Sequence, residues 1–141
     1  MNTKRSIGKC MGLVAVLLFV SVGVSLADDF DGSEALRCVP TDATECSGAG
    51  ECKRVMVEEV NIPRWIYVDF KKKKIGGTDS DGEDETTVIE NVHTANGNTI
   101  LQGAEGGRAW SMVIDQMTGD MTAAIACDET GFVLFGVCQK H

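Results

Sequence analysis

Cysteines are the residues whose spacing carries the clearest chemistry in this sequence. One of the six, Cys10, lies in the first 27 residues, which have the pattern of a removable leader. The five that remain are Cys38, Cys46, Cys52, Cys127 and Cys138. An odd number implies a free thiol or a bridge to another chain. Spacing alone permits fifteen frameworks, from five choices of unpaired cysteine and three pairings of the rest.

A disulfide framework is favoured over a metal site. Two glycines between Cys46 and Cys52 allow that short loop to close. Cys38 and Cys138 lie near the two ends of the folded region, and a bridge between them would stabilise the chain by roughly 4–5 kcal/mol in the chain-entropy model. Cys127 would then be unpaired. Zinc is the lesser alternative, because the first close pair is spaced more widely than zinc ligands usually are and no second pair follows.

The sequence offers few of the residues that hydrolytic catalysis needs. A nucleophile needs a base and an orienting group, and the mature chain offers two histidines, His93 in an alternating strand pattern and the terminal His141. Ser111 lacks the Gly-x-Ser-x-Gly context that exposes a nucleophile. A carboxylate pair for glycoside cleavage stays open among 21 acidic residues, but nothing selects one. We therefore predict no catalytic residue, and these observations favour a protein that is not an enzyme.

Charged residues concentrate in one interval, 71–85. Four lysines at 71–74 are followed by the acidic stretch 79–85, and we predict a flexible, solvated excursion between strands. Calcium binding is a weaker alternative, since an EF-hand loop begun at Asp79 would need glycine where Asp84 stands. No cofactor and no metal are predicted.

The N-terminal segment has the pattern of a secretory signal peptide. Lys4, Arg5 and Lys9 precede an apolar run over 11–24, and small residues lead up to Ala27. Cleavage after Ala27 would give a periplasmic or secreted chain with no stable membrane anchor, in an oxidising compartment that suits disulfides. The run is shorter than the roughly 20 residues of a membrane-spanning helix, so an uncleaved anchor is the lesser alternative.

Net charge argues against some kinds of binding partner, and length limits the number of domains. The chain has 13 basic and 21 acidic residues, and loss of the leader, which holds three of the basic ones, leaves 10 against 21, a charge near −11. This charge opposes binding to nucleic acid and to anionic lipid. A chain of 141 residues holds one domain. We predict a mobile acidic N-terminus over 28–35 and a single β domain over 36–141.

Short segments with strand composition fill most of the predicted domain. Asn96-Gly97 is the preferred type I′ hairpin turn, and 115–120 and 128–131 have the composition of further turns with glycine. No segment keeps a helical pattern of apolar residues over about three turns. We predict an all-β fold, an antiparallel meander of about seven strands forming a small, disulfide-stabilised barrel or sandwich. The predicted strands are 53–58, 65–70, 86–94, 99–104, 109–115, 121–127 and 132–138.

Several predicted strands are apolar on both faces, which suits a closed or two-layer sheet, or an outer face covered by a partner. Most of the aromatic residues of the mature chain are expected to lie in the core, while a wide barrel would turn some of them toward an apolar pocket; they are Trp65, Tyr67, Trp110, Phe132 and Phe135. Arg108 is placed to stack on Trp110 or pair with Glu105. The candidate ligand or partner contacts are Trp65, Tyr67, Arg108 and Trp110.

Two motifs near the C-terminus are distinctive. The run LQG…GRAWSMVID…TG over 101–119 is followed by GFVLFGVC over 131–138. With the segment 36–52, they resemble a group of small exported bacterial proteins of unknown function, over most of the mature chain. The resemblance implies matching cysteines at Cys38, Cys46, Cys52 and Cys138 and none at Cys127, which favours the same pairing. It implies no activity.

Binding is the function class that these observations favour. We expect a non-enzymatic module for a small apolar ligand or an envelope protein. The first alternative is a secreted inhibitor of a hydrolase that inserts the charged interval 71–85. The second is a small hydrolase built on His93. The oligomeric state is left open.

Overall fold

The computed structural model describes residues 30–78, 82 and 84–141. The predicted signal peptide and residues 28–29, 79–81 and 83 lie outside this part. The described chain folds as an antiparallel, ten-stranded sheet that curls into a half-barrel, which confirms the predicted fold class. The strands are β1 (Leu36–Ser47), β2 (Cys52–Val55), β3 (Ile66–Asp69), β4 (Lys74–Thr78), β5 (Asp84–Val88), β6 (Asn91–Ala95), β7 (Asn98–Glu105), β8 (Arg108–Asp115), β9 (Asp120–Ala126) and β10 (Thr130–Lys140).

β1 is the central strand of the sheet, and it pairs with three other strands. On one edge it pairs with β10, from Leu36 opposite Lys140 to Ser47 opposite Thr130. On the other edge, β3 pairs with its first residues and β2 with its last. The path across the sheet is β5, β4, β3, β1, β10, β9, β8, β7, β6. The first and last strands of the chain therefore lie side by side in the middle of the sheet.

The two strands at the ends of this path are consecutive in the chain. The Ile89 N–H donates to the Lys73 carbonyl oxygen, beside β4, at 2.9 Å. The next N–H, of Glu90, donates to the Gln102 carbonyl oxygen, in β7, at 2.9 Å. The chain thus changes partner within one residue, and this step brings the two ends of the sheet together. The segment 86–94, predicted as one strand, is two strands with a bend.

β1 is the longest strand, yet the sequence pattern does not predict it. Pro40 has no N–H to donate, and proline inside a sheet is confined to edges and bulges. The register between β1 and β10 shifts between Pro40 and Asp42, which is the bulge that accommodates the proline. A bulge also bends its strand and increases the local twist, so this position contributes to the curl of the sheet.

The interval 71–85, predicted as a flexible excursion, contains a hairpin in its described part. Residues 71–73 turn the chain, and β4 and β5 then pair antiparallel. Gly76 is required by the closeness of the neighbouring strand, because a Cβ there would overlap the Glu85 carbonyl oxygen. A charged, glycine-rich segment forms a strand here because glycine admits the neighbouring backbone.

A short 3-10 helix over Val57–Val60 replaces the second half of the strand predicted over 53–58. The Glu59 carboxylate accepts the Met56 N–H at 3.3 Å, and the Glu59 N–H donates to the Met56 carbonyl oxygen at 3.0 Å. These two bonds fix the first turn and end the extended conformation of β2. The chain is thereby redirected toward β3.

Aliphatic side chains fill the inside of the half-barrel. Trp65, Tyr67 and Phe135 are 37%, 39% and 46% exposed, so the prediction that they lie in the core is wrong, whereas Trp110 packs against the buried cluster. Alternation along a strand shows that two faces differ, but the closure of the sheet decides which face turns inward. The largest fully buried apolar side chains are Leu36, Val68, Ile89, Leu101, Ile114 and Leu134.

Phe30 closes one end of the half-barrel, a contact that the sequence analysis did not anticipate. Its side chain packs against the core. Its N–H donates to the Gln116 carbonyl oxygen at 3.2 Å, and its carbonyl oxygen accepts the Thr99 hydroxyl at 2.8 Å. The buried Gln116 amide donates to Thr99 Oγ1 at 3.1 Å. The mobility of 28–35 stays a prediction, although Phe30 has these partners.

Asp115 organises the turn between β8 and β9. Its Oδ1 accepts the N–H groups of Thr118 and Met117, both at 2.8 Å, and these bonds lower the pKa of the carboxyl below its ordinary 3.8. Gly119 follows with a φ of 76°, and its N–H donates to the Asp115 carbonyl oxygen at 3.0 Å. The turn predicted over 115–120 is confirmed.

The described part of the chain contains two disulfides. Cys38 is bonded to Cys138 across β1 and β10, and Cys46 is bonded to Cys52 across β1 and β2. These are the predicted pairs. The Cys127 thiol is free and half-buried. Disulfides of this kind are consistent with an oxidising, extracytoplasmic compartment.

The two disulfides should differ in their effect on stability. Replacing Cys38 and Cys138 together by alanine opens a loop of 100 residues and should lower the free energy of unfolding by about 4–5 kcal/mol, while the short loop of Cys46 and Cys52 should account for about 2–3 kcal/mol. Urea unfolding of the two double variants measures both values. An equal or larger loss from the short loop would contradict the chain-entropy argument.

Acid should weaken the β8–β9 turn. Because the folded pKa of Asp115 is lowered, its carboxylate contributes stability above the unfolded pKa, and the contribution is lost as the pH falls through the folded pKa. We expect Asp115→Ala to be less stable than the wild type at about pH 6, with a smaller difference at about pH 2. Asp115→Asn, which keeps an acceptor, should lose less. Urea unfolding at both pH values tests this, and a difference independent of pH contradicts it.

Candidate functional site

A cleft opens at the end of the half-barrel opposite Phe30. Its volume is about 160 Å³, and it is open to solvent on one side. Residues of β3, β4 and β5 line one wall, and residues of β8, β9 and β10 line the other. The loop residues Asn61, Ile62 and Pro63, which follow the 3-10 helix, complete the lining. The curl of the sheet therefore creates the cleft, since it makes two distant parts of the sheet face each other.

The floor of the cleft is apolar. Met112, Ala123 and Leu134 are register neighbours across β8, β9 and β10, and all three are buried. Trp110 and Ile125 form the next row toward the open end. Ala123 is the small member of this set, so space remains between the larger side chains on either side of it.

Trp110 is held against the backbone of β7. Its register partner is Gly103, and a Cβ there would overlap the indole Cζ2 and also come too close to the Val88 carbonyl oxygen. Glycine in a strand interior often marks such a close approach. The edge of the indole that carries Cε2 and Cζ2 therefore packs on Gly103, close to the end of β5.

The indole nitrogen of Trp110 is unpaired. Nε1 is buried and has no hydrogen-bond partner among the described residues. Native structures pair nearly all buried donors, because an unpaired one costs about 1–3 kcal/mol. This donor belongs to a residue that lines the cleft, but Nε1 itself is shielded from solvent and so does not face the open cleft.

Three charged side chains line the cleft. They are Glu85 on β5 and, at the β7–β8 hairpin, Glu105 and Arg108, which face each other across the register. All three are exposed, so they lie toward solvent rather than on the apolar floor. The cleft therefore has two carboxylates and one guanidinium beside an apolar interior.

The four residues predicted as ligand or partner contacts separate into two pairs. Arg108 and Trp110 both line the cleft. Trp65 and Tyr67 are not among its lining residues. The Arg37 guanidinium lies 4.3 Å from the Trp65 ring centroid. The ring centroids of Tyr67 and His141 lie 5.4 Å apart. The structure therefore brings together only Arg108 and Trp110 of the predicted set.

The residues considered for hydrolysis are not brought together. Ser111 lines the cleft, but His93 is exposed on β6, opposite Ile100. Within residues 30–78, 82 and 84–141, no group of three His, Cys, Asp or Glu side chains is arranged to hold a metal ion. Most of the acidic stretch considered for calcium lies outside these residues. The same part of the chain has no helix long and apolar enough to cross a membrane.

The outer face of the sheet is partly apolar. Val113 on β8 and Phe135 on β10 are 37% and 46% exposed and flank Thr122 of β9, while Val137 is 49% exposed. This agrees with the expectation that several strands are apolar on both faces. The outer side chains lie on the convex side of the curled sheet, away from the cleft.

Sequence reasoning missed most of the cleft. Alternation does place Trp110 and Met112 on one face of their strand, which was the available signal. Ile62 and Pro63 follow an unpredicted helix, and Ile75 lies in the unpredicted strand β4, so nothing local pointed to them. No protein-family model, curated protein or solved structure matches this chain significantly. Function is therefore inferred from the cleft itself.

The contact between Gly103 and Trp110 predicts a strong effect of one methyl group. Gly103→Ala should displace the indole and lower the free energy of unfolding by about 1–3 kcal/mol, as overpacking does. Gly131→Ala is the matched control, since its Cβ would lie 3.6 Å from the nearest atom, the Ile125 carbonyl oxygen. Tryptophan emission and urea unfolding of both variants report the result. Similar behaviour of the two variants would contradict the packing described.

Proposed function

We propose that this protein is a non-enzymatic binding module that holds a small apolar ligand in the cleft. The observation that carries the proposal is a solvent-open cavity of about 160 Å³ with an apolar floor. A cavity of similar size lined by aliphatic and aromatic side chains binds a molecule the size of benzene. Pockets for drug-sized ligands are larger, about 300–1,000 Å³. The cleft therefore suits a ring-sized molecule or the end of a longer chain.

A small ligand is favoured over a protein partner by the shape of the two apolar surfaces. The cleft is concave, and Met112, Ala123 and Leu134 offer a ligand contacts from two sides of the curled sheet. The exposed side chains Val113 and Phe135 lie on the convex face, where a ligand would be covered on one side only. Burial from several directions removes more apolar area from water, which is the main source of affinity for an apolar ligand.

We propose that the module acts in the periplasm or after secretion, as a mature chain that begins near Asp28. The apolar run that ends near Ala27 supports export, as do the two disulfides. Native mass spectrometry of protein purified from a bacterial envelope reports two quantities at once, the mass of the mature chain and any small molecule that it retains.

Filling the cleft should abolish binding. Ala123→Leu extends a side chain from the floor into the cavity, whereas Ala124→Leu adds the same atoms on the exposed face of β9 and is the matched control. We expect benzene, toluene and ethylbenzene to quench or shift Trp110 emission in a Trp65→Phe background. Affinity should rise about fourfold per carbon, from roughly 0.8 kcal/mol each, until the cavity is full. Ala123→Leu should weaken ethylbenzene at least tenfold, by roughly 1.4 kcal/mol or more.

Two results would count against this function. One is the absence of saturable binding of any of the three hydrocarbons to the wild-type chain. The other is equal binding by Ala123→Leu and Ala124→Leu, since the ligand would then lie outside the cleft. Urea unfolding of both variants shows whether each is folded under the conditions of the titration.

A further inference from the structure

The free edge of β6 differs in composition from the other free edges of the sheet. Within the described part of the chain, β2, β5 and β6 each pair along one edge only. Natural sheets protect such edges with charged residues or proline, because the unpaired N–H and C=O groups are a template for another strand. β2 has Lys53 and Arg54, and β5 has Asp84 and Glu85. β6, with the sequence NVHTA, has no Lys, Arg, Asp, Glu or Pro.

The register of the β6–β7 hairpin fixes which backbone groups of β6 face this edge. The two-residue turn Asn96-Gly97 closes on Ala95 and Asn98, and the residues that flank such a turn form a hydrogen-bonded pair. Bonded and non-bonded pairs alternate along an antiparallel ladder. Val92 and Thr94 are therefore in non-bonded pairs, and their N–H and C=O groups point away from β7. Both residues are exposed.

The free edge of β6 lies on the side of the chain along which β4 pairs with β5. The Ile89 N–H donates toward β4 and the Glu90 N–H toward β7. Successive N–H groups of an extended chain point in opposite directions, so β4 and β7 lie on opposite sides of this segment. β4 begins at Lys74, directly after the turn 71–73. A strand added to β6 would therefore lie on the side of β4, with one end at this turn.

The lysines of this turn make one end of the edge positive. The four lysines at 71–74 are all exposed. The carboxylates nearest to them in the described chain sequence are Asp69, which pairs with Lys72 at 3.3 Å, and Glu90. Four positive charges thus outnumber two negative ones beside the edge, although the chain as a whole is acidic. Complementary charge steers a partner and fixes its register, so this end of the edge suits an acidic one.

We propose that β6 is a docking edge for an extended acidic segment of another protein, which adds to the sheet as a strand and places carboxylates near the lysines 71–74. Val92 and Thr94 together offer it two N–H donors and two C=O acceptors. The Val92 side chain, 43% exposed, adds an apolar contact. Strand addition of this kind takes its affinity from main-chain hydrogen bonds and its specificity from side chains. The edge is separate from the cleft, since none of the residues 91–95 lines it.

A second copy of this chain fits the edge less well. Pairing β6 with β6 of another copy would bring no carboxylate to the lysines 71–74, because the strand has no acidic residue. It would also bring together two mature chains that each have a charge near −11. The acidic segment is therefore the better match for both the backbone and the charge.

Two fluorescent peptides with the same strand-forming centre test the proposal, EEVTVTVEE and KKVTVTVKK. Fluorescence anisotropy gives the affinity of each for the full mature chain. We expect the acidic peptide to bind about tenfold more tightly than the basic one at low salt. The ratio should shrink at about 0.5 M salt, because screening shortens the reach of the lysine charges, while the main-chain hydrogen bonds remain.

Paired variants separate the backbone from the charge. Thr94→Pro removes an outward N–H, at an edge position where proline is tolerated, and should weaken the acidic peptide about tenfold. Thr94→Val keeps the N–H and is the matched control. Lys71→Glu should weaken it about three- to tenfold, whereas Lys53→Glu makes the same change of charge on β2 and should not. Urea unfolding shows whether each variant is folded.

Amide hydrogen exchange of the wild-type chain, followed by nuclear magnetic resonance, gives a readout that needs no variant. In the free chain the His93 amide, which faces β7, should exchange slowly, while the amides of Val92 and Thr94 should exchange fast. Saturating EEVTVTVEE should slow the exchange of Val92 and Thr94 at least about tenfold, because each N–H gains a partner. Attraction to the lysines without strand addition would leave both rates unchanged.

Four results would overturn the proposal. The first is the absence of saturable binding of the acidic peptide. The second is binding that leaves the amides of Val92 and Thr94 unprotected, since the peptide would then lie elsewhere. The third is equal or tighter binding of the basic peptide, which contradicts the acidic class. The fourth is protection of these two amides without any peptide, together with a dimer in sedimentation, since a second copy would then occupy the edge.

Discussion

The pairing of β1 with β10 is the constraint on which the rest of the structure depends. It joins the two ends of the folded chain, is closed covalently by Cys38 and Cys138, and leaves the other edge of β1 free for β2 and β3. The hairpins on either side of this pair would otherwise be separate, locally paired ribbons, and two-stranded hairpins are marginal in water. Their apolar faces become one interior only because this central pair holds them in a single curled sheet.

The cleft is a consequence of the same curl and of small residues at one end of it. Gly103 lets the Trp110 indole lie on the backbone, and Ala123 leaves space between its larger neighbours. At the middle of the half-barrel, Leu101, Ile114 and other large aliphatic side chains are fully buried. The interior thus passes from close packing to an open, apolar space along the same strands, so the side chains that form the packed core and those that line the cleft lie in different layers of one sheet.

Local chemistry made part of the fold predictable, and non-local contacts explain the rest. Asn96 and Gly97 adopt the positive φ values, 50° and 76°, that a type I′ turn needs, so that hairpin follows from two adjacent residues. β1 could not be predicted this way, because Pro40 is tolerated only through a bulge that its partner strand accommodates. Arg108 and Trp110, which were predicted as ligand contacts, do line the cleft, but most of the cleft was not predicted, because a pocket formed across a curled sheet has no local signature.

The buried polar groups at the two ends of the half-barrel differ in whether they are hydrogen-bonded. At the closed end, Thr99 and Gln116 are buried, and both are hydrogen-bonded in a network with the Phe30 backbone. At the open end, the buried Trp110 N–H has no such partner in the described chain. A general looseness of packing would leave unpaired groups at both ends. Within the described chain, the closed end therefore belongs to the fully paired core, whereas at the open end a side chain that lines the cleft keeps a buried donor without a partner.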